Sequence, residues 1–173
     1  NKTARVVVLA QVNTEGSAIV VKKDGKIQSI PELVGKSAVV PGHSTVQDAL
    51  FRKALYQFKT SPDQVKIMVL KPPEMIGALR TDQIDAFIAW EPYPAKAVTM
   101  GVGRILASSR DIWKDHPCCV LATDIQFLEG HLEKAKAVVR GHVKAIDFIR
   151  QHREEDIKIG VKYTGMDEVS IRL

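Results

Sequence analysis

Short apolar, β-branched runs recur along the chain at Arg5 to Ala10, Ala18 to Lys22, Ser37 to Val40, Val65 to Leu70, Ile84 to Trp90 and Cys119 to Thr123. Each has the length of a strand and punctuated ends. Between them the period changes to that of a helix. Ser44 to Phe58 places Val46, Ala49, Leu50, Ala54 and Phe58 on one side, with Asp48, Arg52, Lys53 and Gln57 mostly on the other. A second helix is predicted to begin at Pro72-Pro73, where proline suits the first turn, and to carry Met75, Ile76 and Leu79 inward. A third should follow Glu91-Pro92. Strands and helices in alternation predict an α/β fold, a parallel sheet with crossover helices covering both faces.

The two ends depart from this rhythm. After Asp124 the pattern is helical throughout, with Leu132, Ala135, Val138, Val139, Val143, Ile146 and Ile149 at helical spacing. A further helical run covers Glu154 to Tyr163, and Gly165 ends it. No strand follows to receive these helices. At the start, Arg5 to Lys22 reads as two strands separated by "QVNTEGS", with no crossover helix between them. Both ends look like elements of a sheet whose other strands lie elsewhere.

Composition narrows the class. With 173 residues and 45% hydrophobic content, the chain can bury one substantial core, or form one compact domain and part of another. The net charge of +5 is scattered through helical segments, which speaks for a solvated surface and against a nucleic-acid partner. No apolar run approaches the roughly 18 residues of a membrane helix, and no signal peptide opens the chain. The first residue, Asn1, fits removal of a leader or of a longer N-terminal part. Two adjacent cysteines, Cys118 and Cys119, are too few for a disulfide framework.

In open α/β sheets, ligands bind beyond the carboxyl ends of the strands. Three segments meet that description. In "VVPGHSTVQDAL", a strand ends at Pro41-Gly42-His43, and Ser44 or Thr45 caps a long helix. Glycine permits a sharp turn, while free N–H groups and hydroxyls at the helix start attract an anion; an ordinary capped helix has the same signature. The Lys-Ser/Thr pair of a P-loop and the triple glycine of a dinucleotide site are missing, which argues against nucleotides. In the second segment, the apolar strand ends in Trp90-Glu91-Pro92-Tyr93, two aromatics around a carboxylate. These groups can wall a small ligand and accept its hydrogen bonds, or Glu91 is simply an acid in a first helical turn with Pro92 at its first position. The third is "DHPCCVL", where His116 near Cys118 and Cys119 raises a metal or nucleophile reading. A zinc site needs more ligands than this cluster offers, and cysteines buried at a strand start account for it. No catalytic residue, metal site or cofactor is assigned.

In order and spacing, "VVPGHSTVQDAL", "VLKPPEMIGALRTDQIDAFIAWEPYPAKAV", "GRILASS" and "HPCCVLA" resemble the nitrate/sulfonate/taurine-type substrate-binding proteins of ABC importers. The string aspartate, apolar strand, Trp-Glu-Pro is the most specific part. The resemblance implies a periplasmic-binding-protein-like fold of two α/β lobes that close on a ligand. Residues 1–24 would be crossing strands from lobe one, 25–117 a complete lobe two, and 118–173 the return crossing and C-terminal helices of lobe one. The opening half of lobe one is not in this chain, so self-association of the chain is expected. Carried over residue by residue, ligand contacts fall on Gly42, His43, Ser44, Thr45, Trp90 and Glu91, with Gln47 and Pro92 beside them. The resemblance further implies an extracytoplasmic, non-enzymatic receptor with a small-molecule ligand held in an interlobe cleft, and an ABC permease as partner. The ligand would be a sulfonate or taurine, nitrate, bicarbonate or a pyrimidine. An enzyme on the same scaffold, similar to the pyrimidine synthases, and the sensing domain of a transcriptional regulator are the alternatives.

Overall fold

In the computed structural model, which describes residues 5–173, the expected strands form close to their sequence bounds. They are β1 (Val6–Thr14), β2 (Ser17–Lys22), β3 (Ser37–Val40), β4 (Lys66–Val69), β5 (Ala86–Trp90) and β7 (Pro117–Asp124). One more, β6 (Gly103–Ser108), was not expected, because "GRILAS" opens on glycine and arginine and shows no clean alternation. A buried Gly103 is required there: a Cβ would stand 2.5 Å from Val20 Cγ1 and 3.4 Å from the Cβ of Ala97. The helices are α1 (Val46–Gln57), α2 (Pro72–Arg80), α3 (Tyr93–Thr99), α4 (Ser109–Ile112), α5 (Ile125–Gly130), α6 (Leu132–Gln151), α7 (Arg153–Thr164) and α8 (Glu168–Arg172). Gly165 ends α7 at φ 68°, a backbone position that suits glycine.

The chain divides into two units, one of residues up to Thr14 with Pro117–Gly165, the other of Glu15–His116 with Met166–Leu173. The second holds a five-stranded sheet in the order β4-β3-β5-β2-β6. Here the all-parallel expectation is corrected. β3 runs parallel to β4 and β5, whereas β2 lies antiparallel between β5 and β6. The reason is the connection already visible in the sequence: β2 has no crossover helix ahead of it and enters the sheet from the edge where β5 ends, with Ser17 paired to Trp90.

Both faces of this sheet are covered, as the apolar runs require. On one, Ile19, Val21, Ala38, Val40, Ala86 and Ile88 pack with Leu50, Phe51, Ala54 and Leu55 of α1. On the other, Val20, Val39, Phe87 and Ala89 pack with Met75, Ile76 and Leu79 of α2 and Ala97 of α3. Odd and even strand positions thus separate cleanly by face. The buried stripe of α1 is rotated from the expected one: Phe51 and Leu55 are enclosed, Ala49 and Phe58 are exposed, and Asp48 is buried. At the amino ends of the strands, the Ser37 N–H and hydroxyl both donate to Asp85 Oδ2 at 2.8 Å, tying β3 to the start of β5. The closing helix α8 is fastened to α3 by the Thr99 and Ser170 hydroxyls, 2.9 Å apart.

The other unit pairs β1 with β7 as a two-stranded antiparallel ribbon, accompanied by α5, α6 and α7. Its apolar positions are poorly covered. Of the α6 stripe only Ala135 is buried, while Leu132, Val138, Val143 and Ile149 are exposed, as are Val6, Val8 and Val120 of the ribbon. Cys118 is half-buried and Cys119 exposed, with their sulfurs 3.9 Å apart. The expectation of buried cysteines fails: among the described residues β7 is paired on one side only, by β1.

Phe51→Ala should lower the unfolding free energy by about 3–5 kcal/mol in chemical denaturation, whereas Phe58→Ala should change it by less than about 1 kcal/mol. Equal losses would contradict the rotated stripe of α1.

Candidate functional site

The sheet topology sets the place of the site. Because β2 opposes both β5 and β6, and β3 parallels β4 and β5, the strands β3 to β6 all end on one edge. After β3 the chain enters α1 on one face; after its neighbour β5 it enters α3 on the other. Two adjacent parallel strands whose following helices leave to opposite faces form a topological switch point, and the loops between them open a crevice. Those loops are 41–45 and 91–92, two of the three segments singled out in the sequence.

The loop after β3 is closed on itself. Thr45 caps α1, its hydroxyl accepting from the Asp48 N–H at 3.2 Å and donating to the Gly42 carbonyl at 2.7 Å. Ser44 adopts φ 63°, and its N–H donates to Asp48 Oδ2 at 3.1 Å. The other oxygen of Asp48 receives Arg52 Nε at 2.9 Å. A buried carboxylate therefore already occupies the electropositive start of α1, stabilised by the helix dipole and by Arg52. The Ser44 amide and the Thr45 hydroxyl serve this internal lattice, so the outward chemistry of the loop is the exposed His43 imidazole and the Ser44 hydroxyl. Gly42 stays close to the cap, since a Cβ there would lie 3.3 Å from Thr45 Cγ2.

At the tip of β5, Trp90 is the register partner of Ser17 of β2. It is 39% exposed, with its ring edge-to-face with Tyr93 at 6.2 Å. The Glu91 N–H donates to the Gly16 carbonyl at 2.8 Å, and the Glu91–Pro92 peptide bond is cis. Pro92, half-buried, is the N-cap of α3, and Glu91 Oε2 accepts from the Ala95 N–H at 3.0 Å. Glu91 thus caps α3 from outside the helix. Partial burial pushes its carboxyl above the usual range, against the smaller opposing effect of the Ala95 N–H. The residue as a whole remains open to solvent, so the carboxyl is crowded without being enclosed.

Gln47 is enclosed, 5% exposed, and its amide nitrogen donates to Ser17 Oγ at 3.1 Å. The Ser17 N–H in turn donates to Ser109 Oγ at 3.1 Å. Ser17 and Ser109, both buried, were missed by sequence reasoning. The signal was present as small hydroxyl residues directly after "TEG" and at the end of "GRILASS". His116 lies buried at the end of the unit, its carbonyl accepting from the Glu15 N–H at 3.1 Å, its Nδ1 2.8 Å from the Trp113 carbonyl and its ring stacked on Trp113. No group of three or more His, Cys, Asp or Glu side chains among the described residues is arranged to hold a metal.

Comparison with known proteins places this geometry in a family. The chain is 29% identical over 170 residues to the nitrate import ATP-binding protein NrtC of Synechocystis sp., a match covering 89% of this chain and 25% of that protein. It is 25% identical over 177 residues to the nitrate/nitrite binding protein NrtA of Nostoc sp., covering 92% and 40% respectively. The chain therefore spans well under half the length of these relatives. The crystal structure of the periplasmic aliphatic sulphonate binding protein SsuA from Escherichia coli superposes with a TM-score of 0.86 at 20% identity, over 99% of this chain and 58% of that one. That likeness shows the fold, an α/β fold of the periplasmic-binding-protein kind. The model of the NMT1-like family matches residues 1–161, and the chain belongs to that family.

Proposed function

We propose that the protein of which this chain forms part is the extracytoplasmic solute-binding component of an ABC importer, and that loops 41–45 and 91–92 with Trp90 are one wall of its ligand site. The observation that carries this reading is the meeting of the two loops at the switch point between β3 and β5, where an exposed indole and a crowded carboxyl flank an imidazole and a hydroxyl. The names of the relatives, with nitrate and sulfonate as their cargo, support it. The unit built on the five-stranded sheet would serve as lobe two, and the ribbon with α5 to α7 as part of lobe one. Delivery to a permease requires no covalent chemistry of these residues.

The charge pattern narrows the ligand. Asp48 is neutralised by Arg52, but Glu91 has no such cation among its bonds. A bare anion beside an ionised Glu91 is repelled; a ligand with its own N–H or O–H donor is held. Aminosulfonates such as taurine, bicarbonate and pyrimidines satisfy this. Nitrate binds beside Glu91 when that carboxyl carries a proton or when a cation or a base of lobe one stands between them. Calorimetric titration of the full-length protein with taurine, alkylsulfonates, nitrate, bicarbonate and pyrimidines should find a donor-bearing ligand bound tightest. For that ligand, Glu91→Ala should lower affinity at least about fivefold, close to 1 kcal/mol. Unchanged affinity would reduce Glu91 to a helix cap.

The raised carboxyl of Glu91 also has a signature without ligand. Above the ordinary value of 4.5 the unfolded chain releases this proton while the folded protein still holds it. The resulting stability is present below that value and is lost as pH rises through the folded one. Melting temperatures of Glu91→Gln, measured relative to the wild type, should therefore become more favourable between about pH 4 and pH 7. A constant difference would show that the carboxyl is not desolvated.

The exposed stripe of α6 and the outer residues of β1 and β7 also support self-association of the isolated chain. Light scattering should give a mass that rises with concentration; a single monomeric species throughout would refute this.

A further inference from the structure

We propose that Gln47, Ser17 and Ser109 form a buried relay whose role is to set the spacing between the two ligand loops, an inference that rests on the ligand-site reading above. The three residues come from three separate stretches, the first turn of α1, the start of β2 and the start of α4. All are more than nine-tenths buried. They are joined in series, Gln47 Nε2 to Ser17 Oγ at 3.1 Å and Ser17 N to Ser109 Oγ at 3.1 Å.

The position of Ser17 gives the chain of bonds its meaning. Ser17 is the register partner of Trp90, and the next residue back, Gly16, accepts from the Glu91 N–H at 2.8 Å. Gln47 lies two residues beyond Thr45, the cap that closes the loop of His43 and Ser44. The relay therefore runs from the loop after β3 past β5 to the start of β2, which pairs with the tip of β5, and anchors both to the end of β6. In a core made mostly of Val, Ile, Leu, Phe, Met and Ala, an amide and two hydroxyls are expensive to enclose and are tolerated when bonded. Apolar side chains of similar size would fill the space, but they would slide: hydrogen bonds fix direction and distance where dispersion contacts do not. Enclosed as they are, these groups act through the loops and are positioning residues.

Both ends of the relay can be cut without touching Trp90: Gln47→Met removes the first bond and Ser109→Ala the second. With 5-fluorotryptophan in the full-length protein, this chain contributes two fluorine signals, from Trp90 and Trp113, each assigned by its loss in Trp90→Phe or Trp113→Phe. In both variants the Trp90 signal should shift and broaden, and taurine, or whichever probe of the titration series binds the wild type, should bind on the order of tenfold more weakly. In Gln47→Met the Trp113 signal should stay in place. A lowered melting temperature with an unmoved Trp90 signal would show that the relay only supports the core, and would overturn the proposal. If none of the probes binds the wild type, the ligand-site reading fails, while the fluorine signals still decide the positioning role.

Discussion

The parallel pairing of β3 with β5, held in register at Ala38 against Ala86 and Val39 against Phe87, is the constraint on which the rest depends. A slip of one residue would turn Val39 and Phe87 from the α2–α3 face to the α1 face and carry polar ends into the core. The slip is prevented at the amino ends, where Asp85 takes both donors of Ser37, and in the middle by two apolar layers that accept only one parity. With the register fixed, the carboxyl ends are fixed as well. The positions of Pro41 and Glu91 follow from a pairing made several residues earlier, among side chains that never meet solvent.

What happens beyond those ends is decided by hydrogen bonds. A helix start presents N–H groups that must find acceptors, and in this fold they find Thr45 and Asp48 of the same segment. That choice changes the electrostatics of the loop: the anion at the start of α1 belongs to the protein. At the other loop, Glu91 performs a similar service for α3 through Ala95, yet its charge is not balanced by a neighbouring cation as that of Asp48 is. Two carboxylates at helix starts on one edge thus meet different surroundings, Asp48 paired with Arg52 and Glu91 without a cation and pushed toward its protonated form by burial.

The fold was legible where a residue's role is periodic. Four of the five strands of the main sheet, the helix at Pro72-Pro73 and the inward Met75, Ile76 and Leu79 all follow from spacing. Spacing failed where tertiary contacts override it. The stripe of α1 is turned toward Phe51 and Leu55 because Asp48 is drawn inward by Ser44 and Arg52. β6 escaped notice because a close approach to Val20 demands glycine at its start, and β2 runs against its neighbours because of where the chain enters. For the site, the sequence pointed to loops that the fold brings to one edge of the sheet, since strand ends and caps are local features. It did not separate Gln47 and Thr45, which face inward or into the loop, from His43 and Ser44, which face out; that distinction rests on partners far away in the chain, such as Ser17.

The same contrast separates the two units. In the unit of the five-stranded sheet, the apolar faces of the central strands pack against helices, and the buried Gln47, Ser17 and Ser109 are paired across long sequence separations. In the unit of β1, β7 and α5 to α7, helical periodicity is strong but its apolar stripe finds no sheet of sufficient width: a two-stranded ribbon cannot cover a helix as long as α6. Amphipathic patterning therefore states a demand for burial, and here the demand exceeds what the chain supplies. The surplus lies on Leu132, Val138, Val143 and Ile149, residues whose spacing marks one continuous side of the helix. A side so regular is shaped for a packed partner, and it lies in a different unit from the loops that carry the ligand chemistry.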